Sequence, residues 1–216
     1  TYAYMSEARR LGVMIKTPDV NDSYHEWRGA KNQIRMGFMS IKRLKNNVVK
    51  KILEQRKSGP FESLDDFLFR VDMDLSDAMA LTNAQCFNSI CESKNHREIA
   101  YVVAEFYLNE KDSVPVSTAP VKDKLAQHEI YQIELDVFGY PVSIHPLELY
   151  RPLLSNRIGY AKDIPYNVGK AVYLMGVYIT SKETRTNNKK SMEFLTLEDE
   201  TDIYECVLFP KIFSEF

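Results

Sequence analysis

The sequence predicts an α+β protein in two parts, an all-α region that extends to about residue 138 and an all-β region that begins near Gly169. Two observations predict this division. Apolar residues recur at helical spacing in several segments of the first part. Runs rich in β-branched and aromatic residues, which favour strands, follow Gly169.

Composition limits the classes to which the protein can belong. The 216 residues are 44% apolar, which is typical of a soluble globular chain. No apolar run approaches the ~18 residues that span a bilayer, and no signal segment opens the chain, so we expect a cytoplasmic protein without membrane contact. The three cysteines lack metal-binding spacing and are interpreted as core residues. The net charge of −2 argues against a protein that coats nucleic acid indiscriminately.

The first elements are a short helix and a turn. Residues Tyr4–Leu11 form an amphipathic pattern that ends near Gly12, and the turn cluster 17–21 follows. Because the chain opens in mid-element, we expect it to be an excised fragment.

The central feature is the segment Met36–Phe61, which predicts a helix, a tight turn and a second helix. An apolar step at Met39, Ile41 and Leu44 precedes the polar turn 45–47. Helical spacing then resumes with the residues Val48, Val49, Ile52 and Leu53.

This segment is strongly basic. Between Lys31 and Lys57 there are nine Lys or Arg residues against one acid, Glu54. Such an excess suits a surface that faces phosphates, because their neutralisation releases condensed counterions. A solvated helix face is the alternative. The predicted DNA contacts here are Lys42, Arg43, Lys45, Asn46, Lys50 and Lys51.

Further helices follow the basic segment. Ser63 and Asp66 have the spacing of a helix cap, and Ser76-Asp77 is predicted to begin another helix in the same way. Residues 81–99 predict a second helix–turn–helix connection. The next helix presents a buried face of Ile99, Val102, Val103 and Phe106.

The polar segment 109–120 has two prolines and no periodicity, and we interpret it as a linker. Gln132, Leu135 and Phe138 loosely match a sliding-clamp peptide, but they lie on an apparent helix, which favours packing. His145 has no carboxylate or cysteine partner at a catalytic spacing, so we interpret it as a turn residue before Pro146.

Three strands are predicted after Gly169, at 170–180, 191–198 and 203–209. A basic hairpin tip between the first two is typical of an oligonucleotide-binding (OB) barrel, in which such a loop grips a single strand. Alternation places Leu195 and Leu197 on one face and Phe194 on the other, available to stack on a base or to pack under a neighbouring domain. The predicted contacts are Lys182, Arg185, Lys189, Lys190 and Phe194.

Several of these segments resemble one family, the alpha subunit of bacterial DNA polymerase III. Ser40-Ile41-Lys42 and Ser58–Phe61 match its helix-hairpin-helix motif, although Arg43 and Lys45 replace the two turn glycines. Residues 134–152 closely resemble its ExExLGFYLSxHPLxxYRP pattern. Residues 192–213 are similar to its OB domain, with Asp202 at a glycine position.

The resemblance implies the end of a fingers region at 1–34, a helix-hairpin-helix DNA-binding domain at 35–108, a linker with a connecting helix at 109–165, and part of an OB domain at 166–216. The OB barrel would be incomplete, because the family's barrel has five strands and only three are predicted here. The polymerase reaction needs Asp residues that hold Mg²⁺ in a palm. That palm is not in this sequence, so we expect no cofactor and no catalysis here. Duplex and single-stranded DNA, other replisome subunits and the sliding clamp are the implied partners.

Two functions therefore remain in view. The first is to hold duplex DNA at the hairpin and single-stranded template at the OB region during replication. The second is a protein-interaction scaffold of the replisome, whose hairpins have lost DNA binding together with their glycines.

Overall fold

The structure, a computed structural model, describes residues 2–109, 123–154 and 157–215. These residues form two compact units, 1–143 and 144–216. The predicted linker at 109–120 lies almost wholly outside the described residues.

The first unit begins with helix α1 (Tyr2–Arg10), as predicted, and a small sheet that the sequence patterns did not reveal. The sheet consists of β1 (Met14–Lys16), β2 (Arg28–Ala30) and β3 (Gln33–Arg35). Strand β3 lies in the centre, parallel to β1 and antiparallel to β2. Because Ile15 packs against the core, the sheet covers the helices with one face only.

The basic segment folds as a turn followed by helix α2 (Asn46–Gln55). The predicted first helix is a single 3₁₀ turn, Phe38–Ser40. Helix α2 buries Val48, Val49 and Ile52, which confirms the predicted spacing. These three side chains fix the orientation of α2, so its polar side must face outward.

Helices α3 (Leu64–Arg70), α4 (Leu75–Asn83) and α5 (His96–Asn109) complete the hairpin region. Ser63 caps α3 by accepting from the Asp66 N–H, as predicted. Helix α4 begins earlier than predicted, because Asp74 rather than Ser76 accepts the capping hydrogen bond from Asp77. The side chains of Ile99 and Val103 are buried, which confirms the core face of α5.

Helix α6 (Gln127–Phe138) packs with this first unit. The Lys42 N–H donates to the Val137 carbonyl at 2.8 Å, and Phe138 is 5% exposed. The burial of Phe138 agrees with the packing interpretation of this residue. Gly139 ends the helix at φ +89°, a conformation that suits glycine. Residues 123–143 thus belong to the helical unit, although we had expected a connecting segment at 109–165.

The second unit opens on a 3₁₀ turn, Pro146–Leu149, whose cap is His145. His145 has the extended backbone expected before a proline, and its Nδ1 accepts from the Leu147 N–H. Two short parallel strands follow, β4 (Ile158–Gly159) and β5 (Tyr173–Leu174).

The largest sheet of this unit is antiparallel, with the order β6-β7-β8. Its strands are β6 (Val177–Arg185), β7 (Ser191–Glu198) and β8 (Ile203–Leu208), and α7 (Pro210–Phe213) follows. The predicted first strand is displaced, because β6 begins at Val177 and continues to Arg185. The sheet is consistent with an OB-type region, and the described strands do not close into a barrel. No helix in the described ranges is long and apolar enough to cross a membrane.

Candidate nucleic-acid interface

The turn before α2 keeps a glycine-like backbone although it has no glycine. Arg43 has φ +66°, in the left-handed region that costs an ordinary residue about 1–2 kcal/mol. Lys45, the other substituted position, has φ −72° and caps α2 without strain. Loss of the first glycine therefore did not remove its conformation, and the turn presents a cationic side chain there instead.

Two basic side chains of this segment are without an internal partner. Arg43 and Lys50 are exposed, and neither side chain forms a hydrogen bond or ion pair with any described residue. Asn46 is exposed in the first turn of the helix. Arg43 and Asn46 lie where the helix N-terminus adds positive potential, and Lys50 lies one turn further along α2.

Lys45 and Lys51 are instead paired with carboxylates. The Lys45 ammonium donates to Asp74 and, at 3.0 Å, to Asp77, whose other oxygen accepts the Lys45 N–H at 3.1 Å. The Lys51 ammonium contacts the Asp72 carboxylate at 2.6 Å and the Asp72 carbonyl at 2.8 Å. The loop between α3 and α4 thus places acids against two of the predicted phosphate contacts.

Ionisation of the Lys45 cluster is stabilised by its own geometry. The hydrogen bond from Lys45, followed by that from the Asp77 N–H, lowers the pKa of Asp74 to about 2. Hydrogen bonds to Asp74 and Asp77 raise the pKa of Lys45 in turn. Asp74 and Lys45 are therefore both charged at neutral pH.

Lys42 is anchored at the same turn. Its ammonium donates to the Leu135 carbonyl at 3.3 Å and approaches Gly139 at the end of α6. The contact directs Lys42 to the C-terminal end of α6, where carbonyl groups attract a cation. Of the predicted hairpin contacts, only Arg43, Asn46 and Lys50 are thus exposed without an internal ionic or hydrogen-bonding partner among the described residues.

The second predicted turn repeats the backbone feature of the first. Gln85 has φ +62° and lies two residues after the end of α4. Asn95 then caps α5 by accepting from the Arg97 and Glu98 N–H groups. The helix–turn–helix connection predicted at 81–99 is therefore present.

The β6-β7-β8 sheet separates an apolar face from a polar one. Leu195 pairs with Cys206 and Leu197 with Tyr204, on the face where Tyr204 is buried. Phe194 lies on the opposite face, directly across from Lys182. The alternation predicted for β7 is confirmed by this register.

An open groove of about 640 Å³ runs along that polar face. Phe194 and Lys182 line it together with hydroxyl and carboxyl groups that the sequence reasoning did not single out. These further lining residues are Thr180, Ser181, Thr184, Thr196 and Glu205. The groove combines one aromatic ring, one cation and several hydrogen-bonding groups, a combination that suits a stacked base and its phosphate.

The four basic residues predicted for the hairpin tip are not all in the turn between β6 and β7. The turn itself is residues 186–190, which contains Lys189 at φ +60° and Lys190. Lys182 and Arg185 lie on β6, and Arg185 pairs with Ser191, which places it on the face opposite Phe194. The displacement of β6 toward the tip causes this difference.

Comparisons with known proteins agree with this architecture. A family profile described as "Helix-hairpin-helix motif" matches residues 12–98. Over 98% of the chain, the sequence is 28% identical to "DNA polymerase III subunit alpha" of Bacillus subtilis and 29% identical to that of Aquifex aeolicus. The chain is related to the alpha subunits of bacterial DNA polymerase III. An "Error-prone DNA polymerase" of Mycolicibacterium paratuberculosis is 25% identical over 97% of the chain.

The chain spans about a fifth of the length of these alpha subunits, with 20% of the Bacillus protein and 18% of the Aquifex protein covered. Among the described residues, no group of three or more His, Cys, Asp or Glu could hold a metal ion.

The segment 134–152 has a structural use that sequence reasoning missed. The Glu134 side chain is fully buried and accepts hydrogen bonds from Val142 N–H at 2.6 Å and Ser143 N–H at 3.0 Å. A carboxylate with such donors holds the segment after Gly139 against α6. The available sequence signal was an acidic residue between apolar residues of a helical pattern.

Proposed function

We propose that this chain is a DNA-binding region of a bacterial replicative polymerase, which holds duplex product at the hairpin and single-stranded template at the β6-β7-β8 groove. The observation that supports duplex binding is the exposure of Arg43 and Lys50, without an internal partner among the described residues, beside the N-terminus of α2. The side chains face outward because the opposite side of α2 is buried in the core.

Contact with the phosphate backbone explains this arrangement better than base recognition does. The turn before α2 and the N-terminal half of the helix present cations and an amide, groups that bind phosphate oxygens in any sequence. The proposed contacts at this site are Arg43, Asn46 and Lys50. Lys42, Lys45 and Lys51 join them only if they exchange their present partners for phosphates.

Single-strand binding is proposed for the groove on the grounds of its aromatic ring. Phe194 lies across from Lys182 in a surface of small polar side chains. Phe194 is half-buried, and a base stacked on an aromatic ring contributes about 1–3 kcal/mol. Lys189 and Lys190, in the adjacent turn, would extend the contact along the strand.

The reaction itself would take place in another part of the parent polymerase. We propose that the described residues position DNA and that the chemistry belongs to the rest of the parent. Other replisome subunits, including the sliding clamp, are the proposed partners of the parent, and a cytoplasmic location follows from this role.

Fluorescence anisotropy with duplex and single-stranded oligonucleotides tests both sites in one experiment. The double variant Arg43→Gln/Lys50→Gln should bind duplex more weakly and flatten the salt slope by roughly 1.8, or ~0.9 per lost contact. Phe194→Leu should weaken single-strand binding and leave duplex binding unchanged. Lys124→Gln/Lys211→Gln, which removes two exposed cations elsewhere, is the charge-matched control. Equal losses in the control and the hairpin variant would contradict the proposed interface.

A second candidate function is the protein-interaction scaffold. The neutralisation of Lys45 and Lys51 by acids favours it, because less positive charge remains for phosphates. Absence of binding to either oligonucleotide at 50 mM salt would support the scaffold over the DNA-binding function.

A further inference from the structure

We propose that the outer face of the β1-β3-β2 sheet, defined by Lys16, Arg28 and Arg35 with Lys31 at its turn, is a third contact for the DNA phosphate backbone. This site goes beyond the hairpin and the groove, and it shares no residue with either.

Strand register places three cations in one row. Arg35 of the central strand pairs with Lys16 of β1 on one side and with Arg28 of β2 on the other. Residues directly opposite on neighbouring strands point to the same face of a sheet. The three side chains therefore project side by side from the same face of the sheet.

The direction of this face is fixed by the core. The neighbours of the three cations along their strands are Ile15, Ile34 and Gly29. Because successive residues of a strand alternate in direction, these three face the opposite way. Ile15 packs against the hydrophobic core of the helical unit. The cationic row must consequently face away from that core.

Internal contacts neutralise little of this charge. Arg35 donates to the Asp22 carboxylate at 2.9 Å and to the Thr17 carbonyl at 2.8 Å. The Arg28 guanidinium lies over the Tyr24 ring, 3.3 Å from its centroid, which orients it without an opposing charge. The side chains of Lys16 and Lys31 form no hydrogen bond or ion pair with any described residue. Among the described contacts of these four cations, the only carboxylate is therefore that of Asp22, which pairs with Arg35.

Such a row is unfavourable unless an anion covers it. Like charges directly opposite on neighbouring strands destabilise a sheet. A chain of phosphates supplies negative charge at regular spacing along the whole row, whereas a single carboxylate can satisfy only one position. Charge complementarity therefore favours the DNA backbone as the occupant.

The turn between β2 and β3 adds a further observation, which rests on the proposed function. Lys31 has φ +54°, a conformation that is uncommon for residues other than glycine and asparagine. The described non-glycine residues with positive φ are Lys31, Arg43, Gln85 and Lys189. Two of the three cations in this set, Arg43 and Lys189, lie in turns that are already proposed to contact DNA. Lys31 repeats their combination of glycine-like backbone and cationic side chain.

The test is an anisotropy titration of the 216-residue chain with a 20-base-pair duplex from 50 to 300 mM salt. The triple variant Lys16→Gln/Arg28→Gln/Lys31→Gln should flatten the salt slope by about 2.7, at ~0.9 per contact. Its affinity at 100 mM salt should fall more than tenfold. Lys124→Gln/Lys170→Gln/Lys211→Gln changes the net charge equally at exposed positions elsewhere and should cost less than threefold.

The single variant Lys31→Gly separates binding from folding. Glycine relieves the left-handed backbone, so the melting temperature should rise, while the loss of the cation should weaken duplex binding severalfold. Parental affinity in Lys31→Gly, or equal losses in the two triple variants, would overturn the proposal. A flattened slope in Arg43→Gln/Lys50→Gln with an unchanged slope in the triple variant would overturn this site alone. No duplex binding by the parent chain would overturn both sites, and binding to an acidic protein surface would then be the alternative.

Discussion

Removal of the carboxylates that face Lys45 and Lys51 should strengthen DNA binding. Both lysines were predicted to contact phosphates, and both are held by acids in the α3–α4 loop. The double variant Asp72→Asn/Asp74→Asn removes one negative charge from each pair. Asparagine caps a helix as well as aspartate, so α4 should keep the hydrogen bond from the Asp77 N–H.

The size of the effect follows from the geometry of the two pairs. Asp72 and Asp74 are 93% and 55% exposed, so each ion pair contributes only about 0–1 kcal/mol to folding. Each released lysine adds at most one phosphate contact, which at 0.1 M salt is worth roughly 8-fold in affinity by counterion release. Lys45 remains beside the buried Asp77, so the release of Lys51 should be the larger effect. We expect duplex affinity to rise by about tenfold and the salt slope to steepen by about 1.

The assay compares this variant with Glu92→Gln/Glu215→Gln, which changes the net charge by the same amount at exposed sites without an ionic partner among the described residues. Anisotropy titrations at several salt concentrations give both the affinity and the slope. If the loop variant gains no more than the control, the acids do not compete with phosphates. The neutralised lysines would then be purely structural.

Two further predictions concern folding and its coupling to binding. Arg43→Gly should stabilise the chain by about 1 kcal/mol in urea unfolding, because glycine adopts the left-handed backbone without strain. The same variant should weaken duplex binding roughly 8-fold at 0.1 M salt, because one cation is lost. Reduced stability of this variant would refute the backbone strain at Arg43. Burial opposes ionisation of Asp199, but hydrogen bonds from Thr201, Ala161 and Asp202 outweigh it and lower its pKa. Because the folded pKa lies below the unfolded value of about 4, the stabilisation by Asp199 is complete above that pH and is lost as the pH falls through the folded value. The urea midpoint should therefore depend less on pH between 5 and 2 in Asp199→Asn than in the parent chain.

The elements that sequence patterns predicted well are those with a long, unambiguous period. Helix α2 has three buried positions at helical spacing, and β7 alternates over eight residues. The face on which Phe194 lies could therefore be stated before the register of the sheet was known. Local capping at Ser63 was equally predictable, since it depends on residues three positions apart.

The features that escaped prediction depend on contacts distant in sequence or on very short elements. Strands β1, β2 and β3 have three residues each, too few for alternation to be distinguished from chance. Lys45 and Asp77 are 32 positions apart, and no local pattern joins them. The sequence therefore identified the basic segment but could not show which of its cations are neutralised.

The substituted glycines show why residue identity alone is an incomplete guide to a turn. Arg43 and Gln85 both keep a left-handed backbone without the residue that makes it inexpensive. At the first turn, Ile41 and Val48 are buried on either side, and the Lys42 N–H is held by the carbonyl of Val137. These contacts fix the path of the chain through Arg43, so the surrounding packing compensates for the local strain. The glycine in such a turn and the phosphate contact that it allows can thus be separated. Packing preserves the shape of the turn, and the side chain at Arg43 is free to supply the charge.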